Sequence, residues 1–229
     1  MEETTIQSRS NEDSAPSCRG HKIKSKDMQV LPGPRMVMDL QWGDMMNESL
    51  KKKVVSQISL AYSFNRMSEK TVPMVFTSYC GDWTPLFERV NALNWNKSFV
   101  EYHQESLLSA IPKEQMVYLT ADTEEVCYEF DPAKYYIIGC LLDHNSKKNA
   151  TRDFALESNI KMQRLPIPEY ITMEGRHVLT INHVAQLICK VANGQSWPEA
   201  LMSTIPQRKT PRIVEPKKAE EHKKWFCRV

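Results

Sequence analysis

The stretch YYIIGCLLDHNSKKN, residues 135–149, holds the reading on which the fold turns. Residues 135–142 lean apolar or aromatic without helical spacing, which predicts a strand buried on both faces of a parallel sheet. The run ends at the carboxylate Asp143 and passes into a polar, basic loop of His144, Asn145, Ser146, Lys147, Lys148 and Asn149. Ligands of open α/β sheets bind outside the carboxyl ends of the strands, so Asp143 stands where chemistry is expected. The alternative is that Asp143 caps the next helix, yet Asn149 or Thr151 is better placed for that. Gly139, inside the strand, marks either close approach of a ligand or tight packing under a helix.

Strand and helix alternate on both sides of this run. Residues 36–42 (MVMDLQW), 73–79 (PMVFTSY), 99–103 and 116–122 (MVYLTAD) read as strands, and 161–165 as one more. Between them, residues 48–64 have helical spacing, with Leu50, Val54, Ile58 and Ala61 on one face. A short helix is expected over 83–93, capped by Asp82, and another from Asp122, with Glu125 completing a capping box. Helices are also expected over 151–158, over 180–191 before the stop at Asn193-Gly194, and over 197–205. The fold class is therefore α/β with a mostly parallel sheet and helices on both faces. Residues 1–34 are polar and end in Leu31-Pro32-Gly33-Pro34, which sets an N-terminal arm apart from a domain over 35–209 and a basic tail over 210–229.

Composition narrows the chemistry. With 229 residues the chain can bury a full α/β core, and 41% apolar with 25% charged residues is ordinary for a globular protein. The net charge of +2 matters less than its placement. From Pro206 onward Arg208, Lys209, Arg212, Lys217, Lys218, Lys223, Lys224 and Arg228 outnumber Glu215, Glu220 and Glu221. Such a strip either grips phosphate or is simply solvated, and the same choice holds for Lys147 and Lys148. Six cysteines are scattered without a CxxC pair, which reads as reduced thiols in an intracellular protein and gives no zinc site. No run approaches the roughly 20 apolar residues of a membrane span. The acidic opening MEETTIQSRSNEDS argues against a secretory or mitochondrial leader, leaving a nuclear or cytosolic address. No GxGxxG, GxxxxGK[ST], GxSxG or HExxH occurs, which disfavours a dinucleotide fold, P-loop hydrolysis, a serine-hydrolase elbow and a zinc protease. His144, His177 and His183 form no metal-binding spacing.

Five blocks stand in fixed order: YLTADTEEV (118–126), YYIIGCLLDHN (135–145), MQRLPIPEYI (162–171), RHVLTINHV (176–184) and WPEALMSTIPQRK (197–209). In this series the chain resembles the tRNA (guanine-N1)-methyltransferases that act on the purine at position nine of tRNA, within the SPOUT superfamily. The resemblance covers about residues 35–209 and is strongest from Met116 onward. It implies a SPOUT fold with a deep trefoil knot near the C-terminal end, which no periodicity could reveal. It also implies S-adenosylmethionine as methyl donor, no metal, tRNA as partner, a monomer and no membrane association.

Carried over residue by residue, the family's cofactor loops fall on residues 119–122, 139–148 and 177–180, with the strand end at Leu165 bordering the pocket. The implied cofactor-binding residues are Leu119, then Gly139, Cys140, His144, Asn145, Ser146, Lys147 and Lys148, then Thr151 and Leu165, and finally His177, Val178 and Leu179. The family's general base falls on Asp143. Guanine N1 carries a proton at neutral pH, so its methylation calls for a proton acceptor, whereas adenine N1 offers a free lone pair. Three departures accompany the resemblance. Cys140 stands where the family commonly has a second glycine, adding a side chain where cofactor contacts lie. His177 stands where lysine is usual, and the arm before Arg35 is poor in basic residues. Two other readings stay open on these grounds: an adenine-directed or dual-specificity relative, and a tRNA-binding scaffold with weakened catalysis.

Overall fold

The computed structural model describes residues 28–142, 149–174 and 179–214. Ten strands are present among them. They are β1 (Gln29–Val30), β2 (Arg35–Asp39), β3 (Lys70–Thr71), β4 (Met74–Thr77), β5 (Val100–Tyr102), β6 (Met116–Leu119), β7 (Tyr135–Gly139), β8 (Lys161–Gln163), β9 (Ile171–Thr172) and β10 (Arg212–Ile213). Seven α-helices join them: α1 (Glu48–Arg66), α2 (Trp83–Glu88), α3 (Leu107–Ala110), α4 (Ala150–Glu157), α5 (Ile167–Tyr170), α6 (Ile181–Ala192) and α7 (Trp197–Thr204). Six strands form one sheet in the order β5-β4-β2-β7-β6-β8, every neighbouring pair parallel.

The run that opened the sequence reading is β7, between β2 and β6 near the middle of this sheet. Tyr136, Ile137 and Ile138 are buried, as a strand covered on both faces requires. Burying each such side chain contributes about 1.5–3 kcal/mol. From β2 the chain moves outward to β4 and β5, then returns to build β6, β7 and β8 on the other side. The β2–β7 seam is thus where strand order reverses, the place at which open α/β sheets form a ligand crevice. The connection from β7 through α4 to β8 crosses over β6.

Local signals account for the helices that hold the sheet. Asn47 caps α1, its Oδ1 accepting from the Leu50 amide at 3.0 Å. Ser196 and Glu199 form the capping box of α7. Helix α6 ends at Asn193 followed by Gly194 at φ +93°, a conformation that favours glycine. The Asn193 side chain then ties this end to β3, bonding both the amide and the carbonyl of Lys70. At its start, the Ile181 amide donates to Gln57 Oε1 of α1. So α6 lies along α1 with its first turn toward the middle of that helix.

Several expectations change. The strands expected over 36–42, 73–79, 116–122, 135–142 and 161–165 all stop early, at Asp39, Thr77, Leu119, Gly139 and Gln163, and the helix expected over 83–93 ends at Glu88. Asp82 precedes α2 but makes no capping bond; its carboxylate takes the Lys51 ammonium of α1 at 2.6 Å. No helix starts at Asp122: residues 120–134 contain no helix, and the capping box expected with Glu125 does not form. Instead the Arg164 amide donates to the Glu125 carbonyl and the Cys127 amide to the Arg164 carbonyl, laying this segment against the end of β8. Outside the 35–209 span, β1 pairs with β3 and β10 with β9. The trefoil knot expected from the resemblance rests on the loops 119–122, 139–148 and 177–180, of which 143–148 and 177–178 lie outside the described residues.

Candidate active site

The parallel sheet brings four strand ends to one edge: Thr77 of β4, Asp39 of β2, Gly139 of β7 and Leu119 of β6. At the β2–β7 seam Asp39 and Gly139 are register partners, and the next amide, that of Cys140, donates to the Asp39 carbonyl at 3.0 Å. The edge where Asp143 is expected therefore begins directly above Asp39.

Asp39 is fully buried. Its Oδ2 accepts from Gln41 Nε2 at 2.7 Å and from the Tyr118 hydroxyl at 3.0 Å, while Oδ1 accepts from the Gln41 amide at 3.3 Å and, weakly, from Thr77 Oγ1 at 3.5 Å. Tyr118 Oη in turn accepts from Trp42 Nε1 at 3.2 Å. Burial raises the Asp39 carboxyl above its ordinary value, and the hydrogen bonds from Gln41, Tyr118 and Trp42 pull the other way. The Tyr118 phenol is pushed far up, chiefly by burial and then by the Asp39 charge. This buried network forms the floor of the site. Closed to solvent, it fixes the strand ends rather than touching a ligand. Sequence reading passed over Asp39 as the interior of a strand. The signal was nonetheless there: MVMD ends an apolar run in a carboxylate just as YYIIGCLLD does.

Each expected site residue can now be located. Gly139 is packed from below: a Cβ there would lie 2.7 Å from Tyr118 Oη and 2.8 Å from Thr151 Cγ2. Of the two readings of Gly139, tight packing under a helix is the one these contacts support, and they place Thr151 of α4 at the same spot. Cys140 is fully buried, its thiol within 3.5 Å of the Ile138 carbonyl and pushed well up by burial and the Asp39 charge. Its side chain is turned into the interior instead of out over the edge.

Leu119, Leu165 and Leu179 come together. Leu165 is buried in a small apolar cluster with Ile167, Ile171, Leu187 and Trp197, and Leu119 and Leu179 pack against it while partly exposed. Behind them Arg164 grips Glu169 through two hydrogen bonds, of 2.6 and 3.0 Å, and holds the 120–134 segment through its backbone. Asp143, His144, Asn145, Ser146, Lys147, Lys148, His177 and Val178 lie outside the described residues. Among the described residues no group of three His, Cys, Asp or Glu side chains could hold a metal ion, and no helix is long and apolar enough to cross a membrane.

These strand ends, with an apolar seat at the β6–β8 side and a buried carboxylate under the β2–β7 seam, define an α/β protein of the SPOUT type. Residues 1–210 match the family described as tRNA (guanine(9)-N(1))-methyltransferase TRM10/TRM10A, and the chain belongs to that family. It is 36% identical over 191 residues to a tRNA (guanine(9)-N1)-methyltransferase of Candida glabrata, covering 82% of this chain and 66% of that protein. It is also 36% identical over 177 residues to tRNA methyltransferase 10 homolog A of Xenopus tropicalis, covering 76% of this chain and 52% of the relative. The chain thus spans between about half and just under two thirds of these relatives' lengths. Among solved structures, the crystal structure of full-length spTrm10 in complex with SAH superposes with a TM-score of 0.70 at 30% identity, covering 78% of this chain and 98% of that one.

Proposed function

We propose that this protein transfers a methyl group from S-adenosylmethionine to N1 of guanine at position nine of tRNA, with Asp143 accepting the N1 proton. The observation that supports this most is the superposition on spTrm10–SAH along 98% of its chain. SAH, S-adenosylhomocysteine, is the demethylated form of the donor. The cofactor residues named from the sequence, and the trefoil knot that would close their loops around the donor, belong to the same reading. So do a monomeric state and a nuclear or cytosolic address.

The residues present fit such a donor. Leu119 and Leu179, partly exposed over buried Leu165, offer an apolar seat of the kind a purine face takes. Cys140, turned inward, takes no space from the pocket. When bound, S-adenosylmethionine supplies an electrophilic methyl group whose sulfur keeps the bonding electron pair. The chain's part is to position and to take a proton. Asp143, three residues beyond Cys140 at the end of the β7 run, receives the proton that guanine N1 must lose as it becomes the nucleophile. Holding the base and the methyl group in line lowers the barrier further by removing the entropy of encounter.

Asp143→Asn is expected to keep the fold and donor binding while slowing transfer to guanine by about 10²–10⁴-fold, the usual worth of a positioned acid–base group. Full activity in this variant would remove Asp143 from the mechanism. An adenine-directed relative would instead methylate transcripts with adenine at position nine at least as well as those with guanine.

A further inference from the structure

We propose that a cleft at the amino edge of the six-stranded sheet, walled by Lys113, Lys134 and Lys161, binds a phosphate group. The cleft lies apart from the candidate active site. Strand β7 is five residues long, which puts about 15 Å between this edge and the carboxyl edge that carries Asp39 and Gly139.

Sheet register gathers the three lysines. Lys134 immediately precedes β7, whose first residue, Tyr135, is the register partner of Met116 at the start of β6. Lys113 opens the 3-10 turn Lys113–Gln115 that leads straight into β6. On the far side of β6, Lys161 starts β8 opposite Val117. Three neighbouring strands thus each bring one ammonium to the same edge. Between them is a cleft of about 390 Å³, completed by Glu114, Asn159 and buried Met116, a volume in the range of small-ligand sites.

The walls are held in place. Lys134 Nζ donates to the Glu114 carbonyl at 2.6 Å, tying the start of β7 to the turn before β6 and leaving two further N–H donors. Asn159 stands in the left-handed region, at φ +51°, where α4 gives way to β8, and the Ile160 amide after it returns to the Ala155 carbonyl at 2.8 Å. One strand over, Arg35 of β2 is held 5.0 Å over the Tyr135 ring, a fourth cation on the other side of β7. Negative charge is scarce here. Among the described residues Glu114 is the one carboxylate lining the cleft, and none forms an ion pair with Lys113, Lys134, Lys161 or Arg35. Asp131, in the turn before β7, spends its Oδ1 on the Ala133 amide at 2.8 Å. Three ammoniums against one carboxylate leave an excess of two positive charges. A phosphate monoester carries about −1.5 to −2 at neutral pH and offers three acceptor oxygens, which matches that excess. Lysine binds phosphate as a point charge, so three ammoniums on separate strands suit it without a planar fork.

The test is a calorimetric titration of the full chain with ribose 5-phosphate, in saturating S-adenosylhomocysteine so that the donor pocket is filled. The parent should bind it, and the double variant Lys113→Gln, Lys161→Gln should bind about tenfold more weakly, with the urea midpoint unchanged. The charge-retaining pair Lys113→Arg, Lys161→Arg should bind as the parent does. So should Lys53→Gln, Lys97→Gln, which removes as much charge from exposed positions elsewhere. An unmodified tRNA transcript separates the two sources of phosphate. With the RNA backbone as occupant, the slope of log Kd against log salt becomes shallower by roughly two in the Lys113, Lys161 glutamine variant. With a free sugar phosphate or nucleotide as occupant, the slope stays and only the ribose 5-phosphate affinity falls. A parent that does not bind ribose 5-phosphate, together with an unchanged tRNA slope, overturns the proposal. Equal ribose 5-phosphate binding by parent and glutamine variant overturns it too, as does an equal loss in the arginine pair or in the Lys53, Lys97 pair. A parent that binds the sugar phosphate here but transfers no methyl group keeps this site and loses the methyltransferase reading, on which the site does not rest.

Discussion

Replacing Gly139 by alanine tests the floor of the site at its tightest point. The new Cβ would stand 2.7 Å from Tyr118 Oη, 2.8 Å from Thr151 Cγ2 and 3.4 Å from Tyr118 Cε1. Tyr118 cannot step aside cheaply: it is fully buried, donates to Asp39 at 3.0 Å and accepts from Trp42 at 3.2 Å. Overpacking alone costs about 1–3 kcal/mol. Weakening the hydrogen bond to the buried carboxylate adds about 1–2 kcal/mol, so Gly139→Ala should lose about 3 kcal/mol. Tyr118→Phe removes the nearest clashing atom and should lower the cost of the alanine to about 1–2 kcal/mol, with Thr151 still in the way. Urea unfolding of the two single variants and the double variant measures this directly. The expected coupling of about 1–2 kcal/mol exceeds the 0.3–0.5 kcal/mol within which independent sites add. Additive losses, or a Gly139→Ala variant as stable as the parent, would refute the packing argument. A fully stable variant that loses donor binding would return Gly139 to the role of a ligand contact.

Other consequences can be checked on the same samples. The Tyr79 hydroxyl is buried without a hydrogen-bond partner among the described residues, so Tyr79→Phe should leave stability unchanged or raise it by about 1 kcal/mol in urea melts. Asp39 has a folded pKa raised above its unfolded value. The native state therefore keeps a proton that the unfolded chain has released, and this group's contribution declines as pH rises from the ordinary carboxylate value through the raised one. Asp39→Asn should abolish that part of the decline, seen in melts at a series of pH values. Glu169→Gln breaks a half-buried bidentate pair with Arg164 and should cost about 2 kcal/mol, with faster proteolysis in the 120–134 segment that Arg164 holds.

Much of the fold was legible in the sequence because its signals are local and periodic. The run at 135–142 has no polar face, which pointed to a covered strand, and its first five residues form one; 48–64 carries its apolar residues on one helical face. The helix expected at Asp122 failed for a complementary reason. Its capping residues are local, but the Glu125 carbonyl and the Cys127 amide find their partner in Arg164, about forty residues on, and a β-type contact replaces the helical turn. Asp82 was misjudged in the same way, since Lys51 of another helix claims its carboxylate. In the candidate site the apolar residues Leu119, Leu165 and Leu179 were named in advance and are brought together. The resemblance supplied those residues; periodicity alone would not have joined them. Asp39 went unnamed because its importance comes from its burial at the sheet edge, and the burial of Cys140, just past the end of β7, is likewise set by tertiary packing.

The most direct measurement is methyl transfer from labelled S-adenosylmethionine to an unmodified tRNA transcript, with mapping of the modified base. Transcripts with guanine and with adenine at position nine should be run side by side, with the parent chain and with Asp143→Asn. The account predicts N1-methylguanine at position nine from the parent, little product on the adenine transcript, and a rate on guanine lowered by about 10²–10⁴-fold in the variant. No transfer by the parent, or a methyl group at another position, would contradict it.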